Sequence, residues 1–346
     1  MKKVSFILVL MLVISLLAGC AGTAVVYYND CTCDSDKNVV LAEGELKTGL
    51  AILGNARKSV SAEGETAGEA NFDITVAAVL VDQNGVIIDC IIDSVGATVK
   101  FDNSGVIDPA TITDVATKNE LGEAYGMKLY GGSTYEWDEQ AAALCEYAIG
   151  KTVEELKTGA INESGMAADA DLASKASIYL GGYVSAIEAA VNNAASVGAQ
   201  AGDELRLAVL NSLSSSKSAE AEKSGTAQLD CDVAVITLND GKITGCVIDS
   251  LQAKVPFDDA GVVGEIGEML TKNQLGEAYG MKMYAGSAYE WNEQVAAFCA
   301  YVTGLTPQQV ADIAVNERTA PTDADLSSTV TIAIAGLKAL IAKAAQ

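Results

Sequence analysis

The chain repeats itself, and this constrains its fold more than any other feature. Residues 117–150 read TKNELGEAYGMKLYGGSTYEWDEQAAALCEYAIG and residues 271–304 read TKNQLGEAYGMKMYAGSAYEWNEQVAAFCAYVTG, identical at 24 of 34 positions. The flanks match more loosely: residues 86–94 correspond to 242–250, Phe101-Asp102 to Phe257-Asp258, and Asp169–Leu172 to Asp323–Leu326. Two copies result, 45–195 and 203–346, with a period near 155 residues. That is the size of a whole folded unit, not of a solenoid module. Length agrees, since 346 residues at about 150 per domain give two.

Each copy follows one plan. Leu50–Leu53 and Leu207–Leu210 read as short first strands. Phe72–Val81 and Val86–Asp93 then form a hairpin about Gln83-Asn84-Gly85, and Asn239-Asp240-Gly241 marks the same turn in the second copy. Ala97–Phe101 and Ala253–Phe257 read as a further strand. Helical patterning takes over afterwards: Ser133–Ala148, with Ser133 as N-cap and Gly150 as stop, then Val153–Thr158. Asp171–Ala194 and Asp325–Ala344 read as long Ala-rich terminal helices. Strands followed by helices predict an α+β fold, with an antiparallel sheet packed by C-terminal helices in each of two tandem units.

The N-terminus predicts an address. Lys2 and Lys3 precede an apolar run, Val4–Leu17, too short to span a bilayer comfortably. It ends in Leu17-Ala18-Gly19-Cys20, which resembles a bacterial lipobox. The expectation is a signal peptide over 1–19, lipid on Cys20, and a polar tether over 20–44 that anchors an extracytoplasmic lipoprotein to the membrane. Within the tether, Cys31 and Cys33 lack the nearby ligands a metal site needs, so no metal is expected.

Composition excludes several classes. The net charge of −24 argues against nucleic acid as a partner. The absence of histidine removes Ser-His-Asp triads, Cys-His dyads and imidazole metal ligands. No Walker loop, Rossmann fingerprint or EF-hand loop occurs. No nucleophile–base pair can be assembled from spacing, so hydrolase or transferase activity is not expected.

The candidate binding residues lie in the repeated block. In LGEAYGMK, Tyr125 and Lys128 could stack on a ligand and meet an anion, with Tyr279 and Lys282 as their counterparts. In YEW, Trp137 and Trp291 either line a ligand edge or anchor a helix to the sheet. Cys90 with Cys145, and Cys246 with Cys299, occupy equivalent places in the two copies. They read either as a disulfide in each unit or as buried small apolar residues, and the second reading is preferred.

The hairpin, the helical insertion and a closing motif before an Ala-rich helix resemble the FMN-binding domain family of exported, membrane-anchored bacterial proteins. The family's closing pattern is D-x-x-[ST]-G-A-[ST]. Asp171, Ser174, Ala176 and Ser177 match it, with Lys175 in place of the glycine. The second copy keeps Asp325, Ser328 and Thr331 but has Thr329 and Val330 at the Gly and Ala positions. The resemblance implies FMN as cofactor, with attachment positions at Ser177 and Thr331. The lost glycines argue against a covalent link, because glycine there allows close backbone approach or positive φ. Two functions follow. One is an FMN-carrying electron-transfer lipoprotein with a redox partner. The alternative is a flavin-free surface lipoprotein that binds a small solute, a peptide or a cell-wall component.

Overall fold

A computed structural model of the chain describes residues 44–346. The expected leader, Cys20 and nearly all of the tether lie outside the described residues. Each repeat opens with a three-stranded antiparallel meander. The first holds β1 (Lys47–Asn55), β2 (Gly68–Val81) and β3 (Ile87–Phe101), and the second β4 (Glu204–Ser212), β5 (Gly225–Asn239) and β6 (Lys242–Phe257). The hairpins fall where the turn residues put them. The Asp82 carboxylate accepts the N–H groups of Asn84 and Val86, and Asp240 and Gly241 take φ of +47° and +72° in a two-residue turn. The ladder shifts at the same place in both sheets, Leu80/Val81 and Thr237/Leu238.

The third strand is one element, not two. β3 and β6 run without interruption because β2 and β5 are long enough to supply pairing partners along their whole length. The helices are α1 (Lys118–Leu121), α2 (Met127–Gly131), α3 (Trp137–Ala148), α4 (Val153–Ala160), α5 (Ala170–Lys175) and α6 (Gly181–Asn192) in the first repeat. The second repeat has α7 (Lys272–Leu275), α8 (Met281–Ala285), α9 (Trp291–Val302), α10 (Pro307–Ala311), α11 (Ala324–Ser327) and α12 (Ala335–Ala344). Two expectations are corrected. The helix expected from Ser133 begins at Trp137 and is capped by Glu136. The long terminal helix is broken in both copies, into α5 and α6 and into α11 and α12. Asp169 and Asp323 cap the first pieces, each accepting two backbone N–H groups.

Burial along β2 shows how the layers are stacked. From Gly68 to Thr75 residues alternate between buried and half-buried, and from Val76 to Val81 every residue is buried. Ile74, Val76, Ala78 and Leu80 face a core shared with β4–β6. Ala77, Val79 and Val81 face α3, α4 and α6. The second repeat has the same arrangement against α9, α10 and α12. The molecule is thus helix, sheet, sheet, helix, and the helices cover only one end of each long sheet. Strand alternation with one wet face gives way to an all-apolar run where both faces are covered.

The two sheets meet in a pseudo-symmetric, self-complementary contact. Phe101 and Phe257, equivalent residues at the ends of β3 and β6, stack with centroids 4.1 Å apart and planes within 3°. Around them the bonds are reciprocal. Ala62 N–H donates to the Gly261 carbonyl and Ala219 N–H to Gly105, both at 2.8 Å. Ile107 N–H donates to Ser218 Oγ and Val263 N–H to Ser61 Oγ, both at 3.0 Å. This is the geometry of an isologous dimer interface, built within one chain.

The copies differ where the terminal helix crosses the first strand. Gly49 and Arg206 hold equivalent register positions, opposite Val79 and Ile236. At Gly49 the helix lies so close that a Cβ would stand 2.0 Å from the Ala190 carbonyl oxygen. Gly49→Ala is therefore expected to destabilise the protein by about 2 kcal/mol or more, from overpacking against backbone. Gly96→Ala, where nothing lies within 4 Å, is expected to stay within about 0.5 kcal/mol of wild type. Urea unfolding of both variants measures the difference.

Candidate functional site

The repeated block folds into a compact unit on the helical side of each sheet, and one carboxylate organises it. Glu136, almost fully buried, accepts the N–H groups of Met127 at 2.8 Å and Lys128 at 3.1 Å, and so caps α2 from outside. It also forms a capping box with Glu139 at the start of α3. Glu139 takes the Glu136 N–H at 2.6 Å and the Lys128 ammonium at 2.7 Å. Their shared hydrogen bond raises the pKa of Lys128 and lowers that of Glu139. Glu290, Glu293 and Lys282 repeat the arrangement, with Lys282–Glu293 also at 2.7 Å.

Gln140 is the second organiser, fully buried one turn along α3. Its Nε2 donates to Ser133 Oγ and the Tyr135 carbonyl, and its Oε1 accepts the N–H groups of Ser177 at 2.7 Å and Ile178 at 3.1 Å. This clamp holds the chain extended between α5 and α6, and it is why the Ala-rich segment does not continue as one helix. Gln294 does the same for Thr331 and Ile332. Ser177 Oγ and Thr331 Oγ1 add contacts to the same amide oxygens, at 3.3 and 3.1 Å. Ser174 and Ser328 hydroxyls each donate to a backbone carbonyl three residues earlier, at 2.7 Å.

The aromatic residues are shared between packing and surface. Trp137 is 2 % exposed and donates from Nε1 to Tyr183 Oη at 3.0 Å, with the two rings edge to face. Trp291 packs edge to face on Tyr279. Lys118 Nζ lies 5.0 Å from the ring centres of both Tyr125 and Trp137, and Lys272 lies similarly over Tyr279 and Trp291. The structure thus brings Tyr125, Lys128 and Trp137 together with their counterparts, and joins Ser177 and Thr331 to the same unit through a glutamine. Almost every polar group among them has an internal partner.

A second buried pair of acids fixes this unit to the sheet. Asp93 Oδ1 accepts the N–H groups of Ser94 and Asn119, and Asn119 Nδ2 returns a bond to the Ile92 carbonyl. Asp249, Ser250 and Asn273 repeat it. Burial raises the pKa of both carboxyls, against the lowering effect of the hydrogen bonds they accept. Beside Asp93 a cleft of about 370 Å³ opens between the repeats, with Glu120, Arg206 and Lys343 on its walls. Lys343 is used there, paired with Glu120 and donating to the Val209 carbonyl. The wall residues are not repeated, since Gln274, Gly49 and Ala189 stand at the positions equivalent to Glu120, Arg206 and Lys343 in the other copy.

What the unit leaves outside is the set that reasoning from sequence missed. Leu129 and Tyr130 on α2 are 75 % and 84 % exposed, and Met283 and Tyr284 on α8 are 76 % and 82 % exposed. Each short helix sits between two left-handed glycines, Gly126 and Gly132 or Gly280 and Gly286. A Cβ on Gly126 would stand 2.5 Å from the Tyr130 ring, and one on Gly280 2.4 Å from Tyr284. Each tyrosine therefore lies across a bare α-carbon while facing solvent. The signal was available in the sequence, as a bulky apolar residue followed by Tyr in both copies of a segment otherwise rich in glycine.

Comparison of the chain with protein-family models, with curated proteins and with solved structures finds no match in any of the three.

The flavin implied by the resemblance can be tested against this geometry. A phosphate esterified to Ser177 or Thr331 would need backbone N–H donors, yet those of 177–178 and 331–332 are taken by Gln140 and Gln294. Lys175 faces Glu146 at 3.6 Å. The edge of Trp137 is used by Tyr183, and a lysine lies over its ring. The residues present do not fit an attached FMN.

Two outcomes follow. The purified protein is expected to show no visible flavin band, and peptide mapping is expected to find no FMN mass on Ser177 or Thr331. The buried acids give a pH signature. A carboxyl whose folded pKa is raised holds its proton more tightly when folded, so its stabilising contribution is present below its ordinary value near 3.8 and is lost as pH rises through the folded value. The stability gap between wild type and Asp93→Asn/Asp249→Asn is expected to be larger at pH 4 than at pH 7, as measured by urea unfolding at both.

Proposed function

We propose that this protein is a flavin-free, lipid-anchored surface lipoprotein that binds the peptidoglycan of the cell wall through two equivalent aromatic faces. The observation that carries the reading is the pair of solvent-facing tyrosines, Tyr130 and Tyr284, each beside an exposed Leu129 or Met283. Large apolar side chains at more than 70 % exposure in both repeats bury little of their surface in the fold, and exposed apolar patches mark interaction sites. A tyrosine offers an apolar ring face to the C–H face of a sugar and a hydroxyl to its polar edge. Two equal faces on one chain suit a polymer of repeating units, where the second contact gains from effective concentration.

Charge narrows the choice. At −24 the protein repels anionic wall polymers and anionic headgroups, which leaves neutral glycan and cross-linked peptide as targets. The lipobox-like Leu17-Ala18-Gly19-Cys20, followed by a polar segment, supports a place at the membrane surface within reach of the wall.

The test is co-sedimentation of residues 21–346 with purified, polymer-stripped peptidoglycan. Binding is expected, with Tyr130→Ala or Tyr284→Ala weakening it by about 10²-fold through loss of avidity, and the double variant abolishing it. A double variant that still sediments like wild type overturns the reading, as does a folded wild type that stays in the supernatant.

A further inference from the structure

The molecule has two pairs of buried cysteines in contact. Cys246 on β6 and Cys299 on α9 have sulfurs 3.3 Å apart. In the first repeat Cys90 on β3 and Cys145 on α3 are neighbours in the same core cluster, and Cys145 is the first cause of the raised pKa of Cys90. All four are buried. We propose that these pairs, Cys90–Cys145 and Cys246–Cys299, are disulfide sites that staple the third strand of each sheet to its covering helix in the exported protein.

Three observations support it. First, the sulfurs of Cys246 and Cys299 are closer than non-bonded contact, and closing to a bond length needs a shift of only about 1.3 Å. Second, the internal repeat supplies a control. Cys231, equally buried but with no cysteine beside it, is Ile74 in the other copy, as the register through Ile236 and Val79 fixes. The unpaired cysteine has been exchanged for an aliphatic side chain, whereas both members of each pair are kept. Packing alone would let a cysteine drift to alanine or valine at any of the four places. Third, the bonds would close loops of more than fifty residues, which restricts the unfolded chain strongly.

The reaction balances as thiol–disulfide exchange. One protein thiolate attacks a disulfide oxidant of the extracytoplasmic space, a thiol oxidoreductase or a small disulfide, and releases one of its sulfurs as a thiol. The second protein thiol then displaces the other. Two protein S–H bonds are lost, one S–S bond forms, and the oxidant leaves as two thiols. The neighbouring sulfur, and then burial, push the Cys90 and Cys246 thiols well above their ordinary range. Oxidation therefore occurs before the helices close over the strands, during folding after export. The proposal rests on the extracytoplasmic location proposed above.

The experiment uses the full-length protein from membranes of an exporting host. It is quenched in acid, denatured, alkylated, then reduced and alkylated with a second, heavier reagent. Peptide mapping is expected to show the second label on Cys90, Cys145, Cys246 and Cys299, with the first label on Cys231. Lipid on Cys20 in the same digest reports location. A lipidated chain with the first label on all five overturns the disulfides and leaves the location intact, while a chain without lipid overturns the location. In that case, refolding the reduced protein in a cystine–cysteine buffer decides the chemistry. Cross-linked 90–145 and 246–299 peptides support the proposal, and four free thiols in the refolded protein overturn it.

Discussion

Burial of one apolar sheet face against its own copy is the interaction on which the rest of this structure depends. A three-stranded meander is a small sheet, and its helices reach only one end of it. On the other face, Ile74, Val76, Val95, Val99 and Phe101 in one copy, and Val233, Val235, Leu251, Val255 and Phe257 in the other, exclude water only together. The reciprocal bonds at Ala62–Gly261 and Ala219–Gly105 then satisfy backbone groups at the rim, where they would otherwise be stranded. Sequence identity between the copies is concentrated in the helical block, not in the strands that meet. This is the expected pattern for an interface fixed by volume and hydrophobicity, which tolerates exchange among Ile, Val, Leu and Cys.

The parts of the fold legible in sequence were those with local causes. The repeat, the hairpin turns at Gly85 and Gly241, and the change from strand to helix all follow from turn chemistry and patterning. The misjudged parts had tertiary causes. Ser133 is a good N-cap by type, but its hydroxyl serves Gln140 and the Tyr135 N–H, and Glu136 caps the helix instead. The Ala-rich run after Asp171 has the propensity for one long helix. A buried amide 37 residues away bonds to the N–H groups of Ser177 and Ile178 and prevents it. Propensity reports what a segment would do alone, and a buried acceptor with no other donor outweighs it.

The candidate site shows the same division. Trp137, Lys128 and Ser177 stand out in the sequence because they are chemically capable, and each is engaged inside the protein. Trp137 packs on Tyr183, Lys128 neutralises Glu139, and Ser177 lies against Gln140. Residue type and spacing announce capability but cannot announce occupancy, because the partners lie on elements distant in the chain. Tyr130 and Tyr284 carried a weaker sequence signal, since a single tyrosine in a glycine-rich turn has many uses, and only exposure separates them from their buried neighbours.

This division also explains the high identity of the repeated block. Thr117, Asn119, Glu136, Glu139 and Gln140 are tied into capping boxes, a cross-strand clamp and a helix break, so most substitutions among them would leave a buried donor or acceptor unpaired. Their identity between copies needs no ligand. The exposed pair on the short helix has no such bonds. There the two copies keep the tyrosine while allowing leucine to become methionine, a change that preserves apolar bulk and alters shape. A surface position whose ring is retained, whose neighbour need only be large and apolar, and whose glycine scaffold is kept is under a different constraint from the network behind it. In both copies the network serves as the mount, and the face it holds out to solvent is where the molecule has surface to spare for a partner.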